Sequence, residues 1–496
     1  MIRNNSLALA MQSRPPAAPP FYMRRFAAGR DAVRFQNIQH GESSMYLPQP
    51  ADRHLPDSMP QPSFPAGVGN TCPIPGFRSV PRTGVIHVMH RAQALGFTSE
   101  HPEWANLGQG APSTSGLPDA PRRIACVECA ACEQEYAPVA GRQDLRMKVA
   151  EFYNHFHRQG KRSKYTWRNV CIAPGGRAAL TRVAAALGNI NLGHFIPDYT
   201  AYEELLAVFR SFTPIPILLD PATGYRMAPS VLEREIVSRG LGAILTSNPS
   251  NPTGRLVAGD ELRQWVELSR TYDCALIMDE FYSHYVYGRD EARVSAAAFV
   301  EDVDRDPVIV VDGVTKNWRY PGWRVGWIVG PSPVIEAVAS AGSFLDGGAN
   351  HPLQRAAMEL LSPEVAEREI AAIKTEFGHK RDYLVGELLR LGFEIEAEPA
   401  GGFYVWASLK GLPEAFRDAM VFFEKALAEK VIVVPGAFFD VNPGRRRPHS
   451  CYKDHIRLSF GPDMEVLRRG VAGLTRMLRG GTPGAKDGTS YAAAGV

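Results

Sequence analysis

No stretch of the chain approaches the roughly 18 consecutive apolar residues that a membrane-spanning helix requires, which argues against a helical membrane protein. Cysteine is scarce and odd in number, seven in 496 residues, so no disulfide framework is implied and a reducing compartment is favoured. Neither sign of charge dominates: 55 Lys and Arg stand against 52 Asp and Glu, a formal net charge of +3. So small and evenly spread a charge gives no sign of a nucleic-acid-binding surface. No internal repeat is visible.

What is present is the balance of a soluble globular protein, 45% hydrophobic and 22% charged. The length exceeds one ordinary core, so two domains or one large domain with appendages are expected. Residues 1–80 read as a disordered, Pro-rich leader without periodicity, with Pro15-Pro16, Pro19-Pro20 and isolated prolines from Pro48 to Pro81. Its first thirty residues carry Arg3, Arg14, Arg24, Arg25 and Arg30 with no acid before Asp31. That composition resembles a mitochondrial presequence, although the prolines interrupt any amphipathic helix there. A cytoplasmic protein with an unstructured leader is the expectation, mitochondrial import the alternative. Residues 480–496, rich in Gly, Ala and Ser, read as a disordered tail.

Order begins near Thr83, where Val85, Ile86, Met89, Ala92 and Leu95 recur at helical spacing and Gly96 offers a stop. Asn106-Leu-Gly108-Gln-Gly110-Ala-Pro112 is a glycine-proline turn without the third glycine and preceding long strand of a dinucleotide fingerprint. Cys126, Cys129 and Cys132 have ligand-like spacing but no fourth ligand nearby, and His87/His90 and His155/His157 are equally incomplete. No metal is assigned. Tyr136-Ala-Pro-Val-Ala-Gly141 feeds a helix at Asp144. Residues 169–180 read as strand, glycine turn and helix. A helix starting after Gly175 and Gly176 presents free N–H groups and its positive dipole end to a phosphate, and Arg177 could pair with that anion. Pro197-Asp198-Tyr199 follows an apolar strand ending at Ile196, and Arg445-Arg446-Arg447 reads as a solvated loop.

Three stretches carry more information. Residues 243–254 run a buried strand into Asn248-Pro249-Ser250-Asn251-Pro252-Thr253-Gly254, consecutive turns in which proline fixes the chain. Asp279 closes the apolar run 274–278, which places a carboxylate at the carboxyl end of a central strand, the edge where open α/β sheets bind ligands. Such a group needs a cationic or donor partner. Glu280 beside it is expected to cap or face solvent. Residues 308–311 form a buried strand with a turn at Asp312-Gly313, beyond which stands Lys316, and Arg324 follows within Pro321-Gly322-Trp323-Arg324-Val325-Gly326-Trp327. Further on, helices over 352–361 and 365–391 precede short antiparallel strands at 393–396, 402–406, 431–434 and 456–460.

In this order, over roughly residues 84–475, the motifs resemble those of the fold-type I pyridoxal-phosphate (PLP) enzymes, specifically the class I/II aminotransferases. The Asn-Pro-x-Asn-Pro-Thr-Gly string, Asp279 with Tyr282, Lys316 with Arg324, and Ile456-Arg457-Leu-Ser-Phe-Gly461 carry the resemblance. It implies an α/β fold: a large domain over 131–345 with a mostly parallel seven-stranded sheet, and a smaller α+β domain over 346–479 that residues 81–130 join. It also implies PLP, carried by Lys316 as a Schiff base, with Arg324 on its phosphate and Gly175, Gly176 and Arg177 forming the phosphate cup. Tyr199 would stack on the ring, Asp279 would keep the ring nitrogen protonated, and Asn251 and Tyr282 would bond the ring oxygen. Gly110 would face the substrate, and Arg457 would fork onto its α-carboxylate. Tyr136 would cross a homodimer interface to the neighbouring site. Arg177 stands where a hydroxyl residue is common and Gly313 where many relatives place a phosphate-binding serine, a coherent exchange of hydroxyl for guanidinium.

The activity implied is transfer of an amino group from an α-amino acid to a 2-oxo acid by a ping-pong mechanism. Lys316 would be the general base, its pKa lowered by burial and nearby cations. A PLP lyase or cyclopropane-forming synthase shares the same lysine, aspartate and arginine and is the alternative. A PLP-binding regulator is more distant, because the leader lacks two helices at helix-turn-helix spacing. The expected partners are small molecules and a second copy of the chain, with neither nucleic acid nor membrane. The substrate pair stays open, with apolar and aromatic surroundings slightly favouring aromatic or aliphatic amino acids.

Overall fold

The structure, a computed structural model, describes residues 84–98, 100–288 and 293–480. The leader over 1–80, with its presequence-like composition, and residues 481–496 of the tail lie outside the described residues. The first expected helix is present as α1 (Gly84–Ala94), with Val88 and Ala92 buried and a turn at Gly96. Strand β1 (Ala105–Asn106) follows.

The central sheet is built from β2 (Val170–Ala173), β3 (Asn191–Ile196), β4 (Thr213–Leu218), β5 (Leu241–Ser247), β6 (Ala275–Asp279), β7 (Val308–Gly313) and β8 (Gly326–Val329). The order is β2-β8-β7-β6-β5-β3-β4. Every pairing is parallel except the two made by β8, which runs against β2 and β7. The inner strands are buried at almost every position, as a sheet covered on both faces requires. Six helices belong to this region: α2 (Gln143–His157), α3 (Gly176–Ala186), α4 (Ala201–Val208), α5 (Pro229–Arg239), α6 (Gly259–Thr271) and the four-residue α7 (Val314–Asn317) that carries Lys316. Helix α8 (Ser332–Leu345) packs against α3.

The rest of the chain supplies α9 (His351–Leu360), α10 (Pro363–Arg390), β9 (Tyr404–Ser408), α11 (Ala419–Ala428), β10 (Val431–Ile432), β11 (Val434–Pro435), β12 (His455–Ser459) and α12 (Met464–Gly480). Strands β11, β12 and β9 form an antiparallel sheet, while β1 pairs in parallel with β10, so the early segment folds onto the C-terminal one. Two local expectations change. The strand expected at 393–396 reduces to a single bridge between Glu394 and Ser408, because Glu396 instead turns to His455 Nε2 (3.1 Å) and the Tyr225 hydroxyl. Strand β7 runs through Asp312 and Gly313 rather than turning there. Gly313 pairs with Gly326, and a Cβ at 313 would stand 2.5 Å from Gly326 Cα.

In register, Ser247 lies beside Asp279 and Asp279 beside Val311, so the carboxyl ends of β5, β6 and β7 form one edge. The loop after α7 is tied down by Arg319. Its Nε donates to Glu369 Oε1 at 2.7 Å and its Nη1 to the carbonyls of Ser113 and Ser115 at 3.1 and 2.5 Å. Both charged groups are buried. Removing one partner of such a pair leaves an uncompensated ion. Glu369→Ala should therefore cost about 3–5 kcal/mol of unfolding free energy, measured by denaturant titration at neutral pH, with Glu369→Gln less damaging.

Candidate active site

Lys316 ends up where the sheet edge, the N-terminus of α3 and the β12 strand converge. Its Nζ donates to the carbonyl of Gly110, which brings the early glycine turn to the amine. Its pKa is pulled from 10.5 down to about 7, first by burial and then by the guanidinium groups of Arg324, Arg177 and Arg457, with the Asp279 carboxylate opposing them. An ammonium among three guanidiniums is disfavoured, so the amine loses its proton near neutral pH.

Asp279 stands at the end of β6, as its place after an apolar run requires. One oxygen accepts from the Tyr202 hydroxyl at 2.9 Å and the other from the Phe281 N–H at 3.4 Å. Among the described residues no cation lies in ion-pair range of it, and burial raises its pKa to about 6. Tyr282 is buried, its hydroxyl 3.1 Å from that of Tyr404. Glu280, the next residue after Asp279, does not face solvent. It is fully buried behind the sheet, Oε1 accepts from the Ala296 N–H at 2.8 Å, and burial pushes its pKa to about 8. Successive strand residues point to opposite faces, so one carboxyl group reaches the site and its neighbour the packing behind.

The glycine turn read as a phosphate cup lies beside Arg324 and leads into α3 at Gly176 and Arg177. Gly175 has φ 83°, a conformation that glycine adopts freely, and a Cβ there would collide with the Arg324 guanidinium. A Cβ on Gly176 would lie 2.5 Å from the Phe281 ring. Arg177 donates to the Tyr199 hydroxyl at 3.2 Å, and Arg324 to the Pro321 carbonyl at 2.9 Å. Neither guanidinium has a carboxylate partner among the described residues. Two such cations facing the free N–H groups of a helix start make a receptor for a dianionic phosphate. The buried Asp279 without a cation suits a protonated ring nitrogen. The donor set therefore fits PLP.

On the opposite side, Arg457 is buried in β12. Nη1 donates to Asn251 Oδ1 at 2.9 Å and Nη2 to the Gly108 carbonyl at 2.8 Å, while Nε has no protein partner among the described residues. The rings of Tyr404 and Phe439 lie 4.2 and 4.9 Å from its guanidinium carbon. Tyr136 does not join the site of its own chain. It is 96% exposed, beside a surface cavity shared with residues 347–352.

Sequence reading missed Tyr202, Tyr404 and Gly108. Tyr202 had a usable signal, lying one helical turn beyond Tyr199 and so on the same face. Tyr404 and the Gly108 carbonyl come from distant segments and had none. The proposed exchange at Gly313 gains a steric reason: backbone at Gly326 and Val325 fills the space a side chain would take. Gly313→Ser should lose about 1–3 kcal/mol through overpacking, read from urea melts, instead of adding a useful hydroxyl.

Comparison with known proteins gives the family and the fold. A family model described as "Aminotransferase class I and II" matches residues 102–474. The chain is 28% identical over 386 residues to an aspartate aminotransferase of Streptomyces avermitilis, covering 73% of this chain and 88% of that protein. It is 27% identical over 393 residues to an aspartate/prephenate aminotransferase of Thermus thermophilus, covering 78% and 94%. A solved aspartate aminotransferase from Thermus thermophilus with maleate superposes with a TM-score of 0.66 at 24% identity, covering 80% of this chain and 97% of that one.

Proposed function

This chain belongs to the class I and II aminotransferases, PLP-dependent enzymes, and within that family we propose how its own residues divide the work. Arg324, Arg177 and the first turn of α3 hold the cofactor's phosphate, Asp279 its ring nitrogen, Asn251 and Tyr282 its ring oxygen, and Tyr199 packs on its ring. When bound, PLP supplies an aldehyde carbon that takes up amino groups and a protonated ring that draws electrons from the bond to be broken.

Arg457 receives the α-carboxylate of the amino acid, presenting a planar donor fork already oriented by Asn251 and Gly108. Burial and the cluster of cations favour Lys316 Nζ as a neutral amine, oriented by the Gly110 carbonyl and able to take the proton from the substrate α-carbon. Asp279 keeps its charge opposite the ring nitrogen throughout. The burial of the Lys316 amine beside three guanidiniums, with its Nζ on the Gly110 carbonyl, is the observation that carries this assignment. The donor is an α-amino acid and the acceptor a 2-oxo acid. The names of the relatives make L-aspartate the first donor to test, and their being named aminotransferases favours transfer over the lyase and regulator alternatives.

We also place the active unit in a homodimer, with the exposed Tyr136 of one subunit reaching the phosphate in the other. Mixing inactive Tyr136→Ala with inactive Lys316→Ala should then restore activity after subunit exchange, since one of the two sites in the mixed dimer is complete. If exchange is shown to occur and activity does not return, the crossing of Tyr136 is wrong.

Lys316→Ala should abolish the visible band of the loaded protein and reduce turnover by at least about 10²-fold, the lower range for losing a general base. The sign of the pH dependence follows from the direction of the shift. Protonated Lys316 cannot accept a proton, so kcat with L-aspartate and 2-oxoglutarate, which reads the substrate complex in which the lysine is free, should rise with pH through about 7 and then level. An acid limb near the lysine's ordinary 10.5 would sink the assignment.

A further inference from the structure

Asp198, in the loop beyond β3, has no part in the chemistry above, yet it is 2% exposed and has no cation in ion-pair range among the described residues. Burial, with nearby Asp279, raises its pKa well above the carboxylate range. A carboxyl group is costly to bury unless hydrogen bonds replace the water it loses. Here Oδ1 accepts from the Tyr199 N–H at 2.7 Å and from the Ser247 hydroxyl at 3.2 Å. Ser247 has only one hydroxyl proton. Giving it to Asp198 turns the lone pairs of Oγ to the Asn251 N–H, 3.1 Å away. Asn251 Oδ1 in turn holds Arg457 Nη1. A second route starts at the backbone of the same residue: the Asp198 N–H donates to the Phe439 carbonyl at 3.0 Å, and the Phe439 ring packs on the Arg457 guanidinium.

We propose that Asp198 is a positioning residue for substrate-carboxylate recognition: through Ser247 it fixes Asn251, and through Asn251 one arm of the Arg457 fork. The proposal rests on the reading that Arg457 receives the α-carboxylate. The side chain acts as an acceptor at Oδ1, and an amide oxygen there serves equally well. Losing the acceptor frees the Ser247 hydroxyl to rotate, loosens the Asn251 loop and lets the fork turn away from the geometry a planar anion requires.

The test compares Asp198→Asn, Asp198→Ala and Ser247→Ala in the PLP-loaded protein by amide hydrogen exchange and steady-state kinetics. The Asn251 amide should exchange at least about tenfold faster in the two alanine variants, while Ile244 and Leu245 in β5 keep wild-type protection, which separates local loosening from loss of fold. Asp198→Asn should exchange like wild type. With L-aspartate and 2-oxoglutarate, the alanine variants should raise KM about tenfold, with a smaller fall in kcat because Asn251 also faces the cofactor, and Asp198→Asn should restore both. Unchanged Asn251 exchange in Ser247→Ala and Asp198→Ala overturns the proposal, as does an asparagine variant as labile as the alanine one, or a loss confined to kcat. Should Asp198→Ala not fold, Asp198→Ser takes its place, because Ser247→Ala removes the acceptor of the Asn251 N–H itself. Exchange does not depend on turnover, so a wild type that transfers no amino group would refute the functional reading and leave the Asp198 link to be judged on exchange alone.

Discussion

Positive charge crowded around one amine organises this molecule. Arg324, Arg177 and Arg457 all press on the buried Lys316, and the Asp279 carboxylate acts against them. None of the three guanidiniums has a carboxylate partner among the described residues, which leaves all three able to pair with anionic ligands near the amine. That arrangement is tolerable because anionic groups of the cofactor and substrate take up the charge when they bind. The sheet edge, the dipole of α3 and the buried β12 strand are the means of holding like charges close enough to matter.

A four-residue helix cannot hold Lys316 in place by its own hydrogen bonds. The fixing comes from behind. Asn317 Nδ2 donates to Asp312 Oδ1 at 2.6 Å and to the Ser283 hydroxyl at 3.0 Å, and its Oδ1 accepts from the His284 N–H at 3.0 Å. Arg293 lies 3.6 Å from Asp312, whose pKa burial raises to about 7. Glu280 belongs to the same buried layer. The amine therefore stands on a rigid polar bed on one side and faces the cations on the other, which fixes its direction as well as its charge.

Much of this was legible because it is local. An apolar run ended by Asp279, glycines ahead of α3, and consecutive Asn-Pro turns each express a backbone requirement within a few residues. What escaped were pairings between distant segments: Tyr202 with Asp279, Tyr404 with Tyr282, and Gly108 with Arg457. The expected strand at 393–396 failed for the same reason, since local alternation could not show that Glu396 would be claimed by His455 and Tyr225. Glu280, one residue past β6, was misread because the side it takes depends on strand phase and on what packs behind the sheet.

By itself the sequence determined most of the order of strands and helices and the family resemblance, because these follow from hydrophobic runs, turn chemistry and motif spacing along the chain, and that resemblance singled out Lys316 as the candidate reactive lysine. Only the tertiary structure decided the electrostatics. Lys316, Arg177 and Arg457 are far apart in sequence, and their mutual effect falls off with distance in space. No reading of spacing can show how strongly the three guanidiniums act on the amine, that Asp198 reaches Arg457 through Ser247 and Asn251, or that Tyr136 is left exposed.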